Sequence, residues 1–202
     1  MAQRSYIVGM EERQESKQLV ASIIAGQTDQ FQTLIERYQK LVAHIVFRMV
    51  SGEADREDIC QEVFVKVYQN LGSFKFGSKL STWIATIAYN TSLNYLEKKK
   101  VPLYDDLGPE ESGLDRLPSD GKAPDEVFES KDISEILRKE IQSLPAQYRT
   151  ILALYHLEEM SYKEISSITR LPDGTVKSHL FRARKLLKER LMTKYSQEDF
   201  CR

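Results

Sequence analysis

Apolar side chains recur at helical spacing on both sides of a central polar segment. Ile59, Val63 and Val67 repeat every four residues and predict one apolar helix face, with Phe64 and Leu71 beside it. An upstream helix is predicted from the apolar set Phe31, Leu34, Ile35, Tyr38, Leu41, Val42 and Ile45, and a downstream helix from Trp83, Ile84, Ile87, Thr91 and Tyr95. Neither half shows an alternating strand pattern or a hairpin turn. The predicted fold class is all-α.

Capping residues suggest where these helices begin and end. For the helix that contains Ile59, Val63 and Val67, Asp55 is a plausible N-cap and Gly72 a plausible C-terminal stop. For the helix that contains Trp83, Ser78 or Ser81 would be the N-cap. Lysines at its end suit the negative pole of a helix dipole.

The central segment, residues 101–130, contains four of the six prolines and cannot sustain a helix or a central strand. We predict two small helical domains, residues 20–100 and 131–195, joined by this segment as an extended acidic linker. Residues 1–19 would be an N-terminal extension and 196–202 a tail. Without a partner, a free and mobile linker is the simplest interpretation.

Charge is unevenly distributed along the chain. Its 29 basic and 30 acidic residues divide into +2 for residues 1–100, −7 for 101–130 and +4 for 131–202. Nucleic-acid affinity depends on where the cations cluster, and one cluster lies in residues 170–194, with eight bases against two acids. The two cysteines and three histidines have no metal-ligand spacing, so no cofactor is expected. No apolar run is long enough to cross a membrane and no secretory signal is present, which favours the cytoplasm.

The second domain is predicted to contain four helices, interrupted at Pro145, at residues 158–160 and at residues 170–173. Ser161 and Glu164 have the spacing of a capping box, so a short helix should start there. The next helix begins after about three turn residues, which is helix-turn-helix spacing.

Winding that last helix at about 100° per residue separates two faces. Val176, Leu180, Ala183 and Leu187 form the apolar face, which can pack on Ile165 and Ile168. The candidate DNA-binding residues on the other side are Lys177, Ser178, Phe181, Arg182 and Lys185. Guanidinium and hydroxyl groups can contact a guanine or a phosphate, and a ring can press on a thymine methyl. The alternative to DNA binding is that this basic face is only solvated. The short capped helix that precedes it favours DNA binding.

The run "MSYKEISSITRLPDGTVKSHLFRARKLLKERL" resembles the promoter-reading C-terminal domain of bacterial sigma factors of the extracytoplasmic-function (ECF) group. In the first half, "DREDICQEVFVKVYQNLGSF" and "LSTWIATIAYNTSLNYLEKKK" resemble that family's core-polymerase-binding and promoter-melting helices, in the expected order. The resemblance implies a sigma subunit, not an enzyme, that binds core RNA polymerase and promoter DNA. It also implies an anti-sigma factor, and no small-molecule substrate or membrane insertion.

The resemblance assigns roles to residues of the first domain. The row Asp58, Gln61, Glu62 and Val65 matches the surface that grips the clamp helices of the largest polymerase subunit, although such a row is commonly only a solvated face. The loop that enters the melting helix matches the site that captures a flipped base of the minus-ten element. The candidates there and on the following helix are Phe76, Lys79, Ser81, Thr82, Asn90 and Asn94.

Some of these assignments compete with structural roles. Phe74 and Trp83 are better explained as core residues, whereas Phe76, beside Lys75 and Lys79, suits the stacking of unpaired bases. Asn90 and Asn94 could equally be ordinary surface residues.

Two positions depart from the family pattern. Arg170 stands where the turn often has glycine, so we expect another backbone path, because a left-handed conformation disfavours other residues. His179 replaces a common basic residue and is mostly neutral at pH 7, which affects the expected base preference.

Two other functions remain as alternatives. A helix-turn-helix regulator that binds DNA independently of polymerase would need a receiver or ligand domain, and the first half lacks the βα alternation of a receiver. An enzyme with an accessory DNA-binding domain would need a catalytic constellation, and no such motif is present.

Overall fold

Eight α-helices and one 3₁₀ turn form the part of the chain described in the computed structural model, residues 2–99 and 133–195, with side chains given for all except 2–12 and Ser134. The helices are α1 (Ala2–Ile24), α2 (Thr28–Met49), α3 (Glu53–Asn70), α4 (Leu80–Lys98), α5 (Ile133–Gln142), α6 (Ala146–His156), α7 (Tyr162–Thr169) and α8 (Asp173–Lys194). The 3₁₀ turn, Leu71–Ser73, follows α3. No strand occurs in these ranges, and the all-α prediction is confirmed. The predicted acidic linker and the tail lie outside the described residues.

Helices α2, α3 and α4 pack against one another and bury the predicted apolar face of α3, formed by Ile59, Val63 and Val67. The buried face of α4 differs from the prediction, because Trp83, Ile87 and Tyr95 are only partly buried at its border. Small residues occupy the centre of that face, which also includes Ala85, Ala88 and Ser92. The reason is that α4 packs on α2 and on α7, so its buried surface is wider than one stripe.

Helix α1 crosses the domain boundary that the sequence placed at residue 20. Its side chains Leu19, Val20 and Ile23 are buried, and the helix packs on α2 and on the 3₁₀ turn. The last turns of α1 therefore belong to the core of the first half of the chain.

The predicted N-caps of α3 and α4 are wrong. Helix α3 begins at Glu53 with Gly52 as its N-cap, and the Asp55 carboxylate instead pairs with Lys99 Nζ at 3.1 Å. Helix α4 has Lys79 at the N-cap and no side-chain cap. The Asp55 side chain therefore makes an ion pair with a distant residue and does not cap its own helix.

The second half contains the four predicted helices, and its helix-turn-helix is formed by α7 and α8. The capping box is confirmed: the Glu164 amide donates to Ser161 Oγ at 3.3 Å, and the Ser161 amide donates to Glu164 Oε2 at 2.9 Å. The expectation for Arg170 is wrong, because this residue adopts the left-handed conformation with φ 60°. Its amide donates to the Ser166 carbonyl at 2.8 Å, while Ser166 Oγ donates to the Leu171 carbonyl at 2.7 Å. These bonds and the buried helices on both sides fix the turn.

The two halves pack directly against each other and share one apolar core. Helix α2 contacts α6, and α4 contacts α7. Two polar contacts border this junction: His44 Nδ1 with Glu158 Oε1, and Lys79 Nζ with Glu164 Oε1 at 3.0 Å. The sequence predicted two domains and did not predict this packing.

Arg170→Gly should raise the free energy of unfolding by about 0.5–1 kcal/mol. The left-handed conformation costs a non-glycine residue about 1–2 kcal/mol, and the greater freedom of glycine in the unfolded chain offsets about 0.5–1 kcal/mol of that gain. Urea denaturation would measure the difference. Arg170→Ala is the control, because alanine keeps the strain; equal stability of the two variants would contradict this account.

Candidate functional sites

The outer face of α8 presents all five of its candidate DNA-binding side chains to solvent. Lys177, Ser178, Phe181, Arg182 and Lys185 are exposed, and the Phe181 side chain is the most accessible large apolar group among them at 68%. Lys177 Nζ lies 5.4 Å from the centre of the Tyr162 ring, and Ser178 Oγ donates to the Gly174 carbonyl at 2.9 Å. The partners of these two side chains therefore lie in α7 and in α8 itself.

The inner face of α8 holds the helix to its half of the molecule. Val176, Leu180 and Ala183 are buried in the core that contains Ile165 and Ile168, as predicted. His179 is also buried, at 5% exposure, with its ring edge-on to Tyr148 at 5.3 Å. Because the imidazole lies inside the protein, His179 cannot contact a base directly in this arrangement.

Helix α3 exposes a mixed polar and apolar surface opposite its buried face. Asp58, Gln61, Glu62 and Val65 are all exposed, and Glu62 Oε1 pairs with Lys66 Nζ at 2.7 Å. Sequence reasoning missed Tyr68, which is 51% exposed and follows Val65 by three residues on the same face. Its ring contacts Phe31 of α2 edge-on at 4.9 Å.

The loop before α4 is anchored by an aromatic cluster. Phe74 is buried, and its ring lies 4.6 Å from that of Phe76 and 5.1 Å from that of Trp83. Phe76 has a left-handed backbone, φ 54°, and its carbonyl accepts a hydrogen bond from Arg13 Nη2 at 2.9 Å. Helix α1 therefore contributes directly to the conformation of this loop, and Phe74 has the core role predicted for it.

The candidate minus-ten residues divide between two clefts. Phe76, Lys79 and Ser81 line a cleft of about 630 Å³ between α1, α2 and the loop. Asn90 and Asn94 line a cleft of about 310 Å³ between α3 and α4, together with Lys66, Asn70, Ser73, Trp83, Ile87 and Thr91.

Thr82 belongs to neither cleft. It is 3% exposed and its hydroxyl is buried, so it cannot contact DNA in this arrangement. Its position in the first turn of α4 did not reveal this, because only the packing of α4 determines which side of that turn is covered.

Glu164 connects the helix-turn-helix with the loop before α4. Burial raises the pKa of its carboxyl. The hydrogen bonds from Ser161 and the ammonium of Lys79 together lower that pKa by more, so it lies below its ordinary value. The carboxylate therefore stays charged at neutral pH and can hold both contacts.

Residues 2–99 and 133–195 contain neither a candidate metal site nor a candidate membrane span. There, no group of three or more His, Cys, Asp or Glu side chains is placed to hold a metal ion. No helix in these ranges has the length and apolar character needed to span a membrane.

Each half of the chain matches a different protein-family model. Residues 34–101 match the family described as Sigma-70 region 2, and residues 134–187 match Sigma-70, region 4. The first match covers α3, the loop and α4, and the second contains both helices of the helix-turn-helix.

Two curated relatives cover nearly the whole chain. The ECF RNA polymerase sigma factor SigW of Bacillus subtilis is 32% identical over 181 residues, which are 87% of this chain and 96% of that protein. The ECF RNA polymerase sigma-E factor of Escherichia coli K12 is 35% identical over 184 residues, 88% of this chain and 95% of that protein. The chain belongs to the ECF sigma factors. This sigma factor is a sigma subunit that directs RNA polymerase in transcription initiation.

Solved structures show the same fold. CnrH, determined in complex with the cytosolic domain of CnrY, matches with a TM-score of 0.62 at 19% identity, covering 91% of this chain and 99% of CnrH. The sigma factor RpoE of Bartonella quintana, in complex with the anti-sigma factor NepR, matches with a TM-score of 0.58 at 22% identity, covering 82% and 98%. Because both halves match sigma factors in order, the alternative of a regulator that acts without polymerase is not favoured.

Proposed function

We propose that this sigma factor uses α3 to bind core RNA polymerase, the loop and α4 to open the minus-ten element, and α8 to read the minus-thirty-five element. One observation supports this division of roles among the helices. The outer faces of α3 and α8 are both exposed while the two halves are packed together. Co-elution of the purified protein with core polymerase in the absence of DNA tests the role as a whole. A DNA-binding regulator that acts alone would not co-elute.

The α3 surface suits a protein partner with basic groups. Asp58 and Glu62 offer carboxylates, and Val65 and Tyr68 place exposed apolar groups beside them. Charged groups at the border of an interface give orientation and specificity, and a central apolar group adds affinity.

Asp58→Ala combined with Glu62→Ala should lower the affinity for core polymerase about tenfold, which corresponds to about 1.4 kcal/mol. Thermal stability should change by no more than about 0.5 kcal/mol, because both side chains are exposed. Glu36→Ala with Glu97→Ala removes the same charge from α2 and α4 and serves as the control. Unchanged co-elution of the α3 variant would remove this surface from the proposal.

The α8 surface combines groups that can read bases with groups that can only attract DNA. Arg182 lies one turn beyond Ser178, among the other candidates, and has no ion pair among the described residues. Lys188 lies farther from the N-terminal end of α8, the end that enters the major groove in helix-turn-helix proteins.

Arg182→Ala should cost about 1–3 kcal/mol of binding and relax the preference at one or two base pairs of the minus-thirty-five element. Lys188→Ala is the matched control and should weaken all sequences alike. The measurement is a base-substitution scan of promoter binding by the holoenzyme. Identical profiles for the wild type and Arg182→Ala would show that Arg182 contacts phosphate only.

For base capture we favour the cleft between α3 and α4. It is lined by Asn90, Asn94 and Trp83, and by Lys66, whose ammonium also contacts Glu62 and Thr91. Phe76 is less available, since its ring packs on Phe74 and its backbone is held by Arg13. We assign Phe76, Lys79 and Ser81 to guiding the unpaired strand along the neighbouring cleft.

Asn90→Ala with Asn94→Ala should slow open-complex formation about tenfold, because capture offsets an unstacking cost of a few kcal/mol per step. Permanganate footprinting of unpaired thymines measures opening, and a pre-melted template should bypass part of the defect. Phe76→Ala with Lys79→Ala is the comparison and should cause the smaller defect. A larger defect in the comparison variant would place base capture in the cleft beside α1.

The packed arrangement cannot reach both promoter elements at once. Elements centred ten and thirty-five base pairs upstream of the start lie about 25 base pairs, or about 85 Å, apart at about 3.4 Å per base pair. A compact chain of 202 residues has a radius of gyration of about 16 Å, hence a diameter of about 45 Å. The halves must therefore separate when the holoenzyme binds a complete promoter.

Three further features follow from membership in the family. We propose that an anti-sigma factor binds this chain, on the support of the two solved relatives whose partners are CnrY and NepR. We place the protein in the cytoplasm, where core polymerase acts. It assists promoter opening through binding energy, without catalysis of its own.

A further inference from the structure

Helix α1 extends beyond the core of the first half and contacts the loop before α4. Its C-terminal turns are held by the buried side chains Leu19, Val20 and Ile23. One turn earlier, Glu15 Oε2 pairs with Arg37 Nη2 of α2 at 3.3 Å. This part of α1 therefore lies beside the cleft that the loop also lines.

Two basic side chains of α1 converge on one residue of the loop, Phe76. Arg13 Nη2 donates to the Phe76 carbonyl at 2.9 Å. Lys17 Nζ lies 6.0 Å from the centre of the Phe76 ring, at the outer limit of a cation–π contact. Neither Arg13 nor Lys17 has an ion pair with a carboxylate among the described residues. Because the two side chains are four residues apart, one face of α1 contacts both the backbone and the ring of Phe76.

The backbone of Phe76 requires support from its surroundings. Its φ of 54° lies in the left-handed region, which a residue with a bulky side chain rarely adopts. Such a conformation persists only where neighbouring groups fix it. The Phe76 ring packs on Phe74 at 4.6 Å, and the Arg13 guanidinium holds the carbonyl. Loss of this donor would leave the carbonyl free to turn toward water.

The conformation of Phe76 affects the cleft that follows it along the chain. Gly77 and Ser78 come directly after Phe76 and connect it to Lys79, the N-cap of α4. Together with Ser81 these residues line the cleft of about 630 Å³ between α1, α2 and the loop. A change in the backbone of Phe76 redirects Gly77 and Ser78, so the shape of the cleft depends on the contact with Arg13.

We propose that Arg13 is a positioning residue for promoter opening. It holds Phe76 in the left-handed conformation and so keeps the loop before α4 in the shape that guides the unpaired strand. Lys17 supports the same residue from the side of its ring. The role of Arg13 rests on the function proposed above for the loop and is exerted through the loop, without a contact between Arg13 and DNA.

The first experiment observes the loop in the free full-length protein, without polymerase or DNA. Phe76 is replaced by para-fluorophenylalanine, and the fluorine NMR signal is measured. Arg13→Met keeps the length of the side chain but removes the donor, so the signal should shift and broaden. Arg13→Lys keeps a donor and should move the signal less. Lys40→Ala removes a charge from an exposed position of α2 and is the control, which should leave the signal in place.

The second experiment follows open-complex formation by the holoenzyme on a duplex promoter, with permanganate footprinting. Arg13→Met should slow opening about threefold, within the range that one lost hydrogen bond produces. Co-elution with core polymerase and binding of the minus-thirty-five element should not change. Arg13→Lys should restore part of the rate, and Lys40→Ala should open promoters as the wild type does. In a chain that already carries Phe76→Ala and Lys79→Ala, Arg13→Met should cause little further loss, because the residues through which it acts are gone.

Three outcomes would overturn the proposal, and they differ from one another. An unchanged fluorine signal in Arg13→Met would show that Arg13 does not hold Phe76. Equal slowing by Arg13→Met with and without the two loop substitutions would show that Arg13 acts elsewhere. A phosphate contact would behave in that way, and its loss would lower the salt dependence of DNA binding by about one phosphate. Normal opening by the Phe76→Ala, Lys79→Ala variant would overturn the function proposed for the loop, and the role of Arg13 in opening with it, even if the fluorine signal moves.

Discussion

The position of α2 between the two halves is the constraint on which the rest of the structure depends. Leu34, Val42, Ile45 and Val46 of this helix are fully buried. The helix contacts α3 and α4 of its own half and α6 of the other, so that a single apolar core runs through both. The outer sides of α3 and α8 are left in solvent, and these are the two surfaces proposed above for polymerase and for DNA.

The same packing creates the electrostatic features of the junction. It brings Lys79 to Glu164 and His44 to Glu158. Lys79 is exposed, whereas the Glu164 side chain is only 22% exposed. Ion pairs near a protein surface contribute only about 0.2–1 kcal/mol each. An arrangement with such modest polar contacts at its border agrees with the proposal that the halves separate on a promoter.

Backbone strain is found in the loop before α4 and in the turn before α8. Of the three non-glycine residues with positive φ in the described chain, Phe76 lies in the loop before α4 and Arg170 in the turn before the recognition helix. Such conformations persist only where the surroundings fix them, here by Arg13 at the first loop and by Ser166 at the second. The hydrogen bond from Arg13 makes α1 part of the structure of the loop before α4.

The sequence by itself determined the helices from α2 to α8, the capping box at Ser161 and the two faces of α8, because these depend on local periodicity and on contacts between near neighbours. It did not predict helix α1, most of which lies in the segment taken as an N-terminal extension. It did not determine that Thr82 is buried, that Asp55 pairs with Lys99 instead of capping α3, or that Asn90 and Phe76 line different clefts. Those features depend on which helices pack on α4. Only the tertiary structure decided that the two halves share one core, since the side chains that meet there are far apart along the chain.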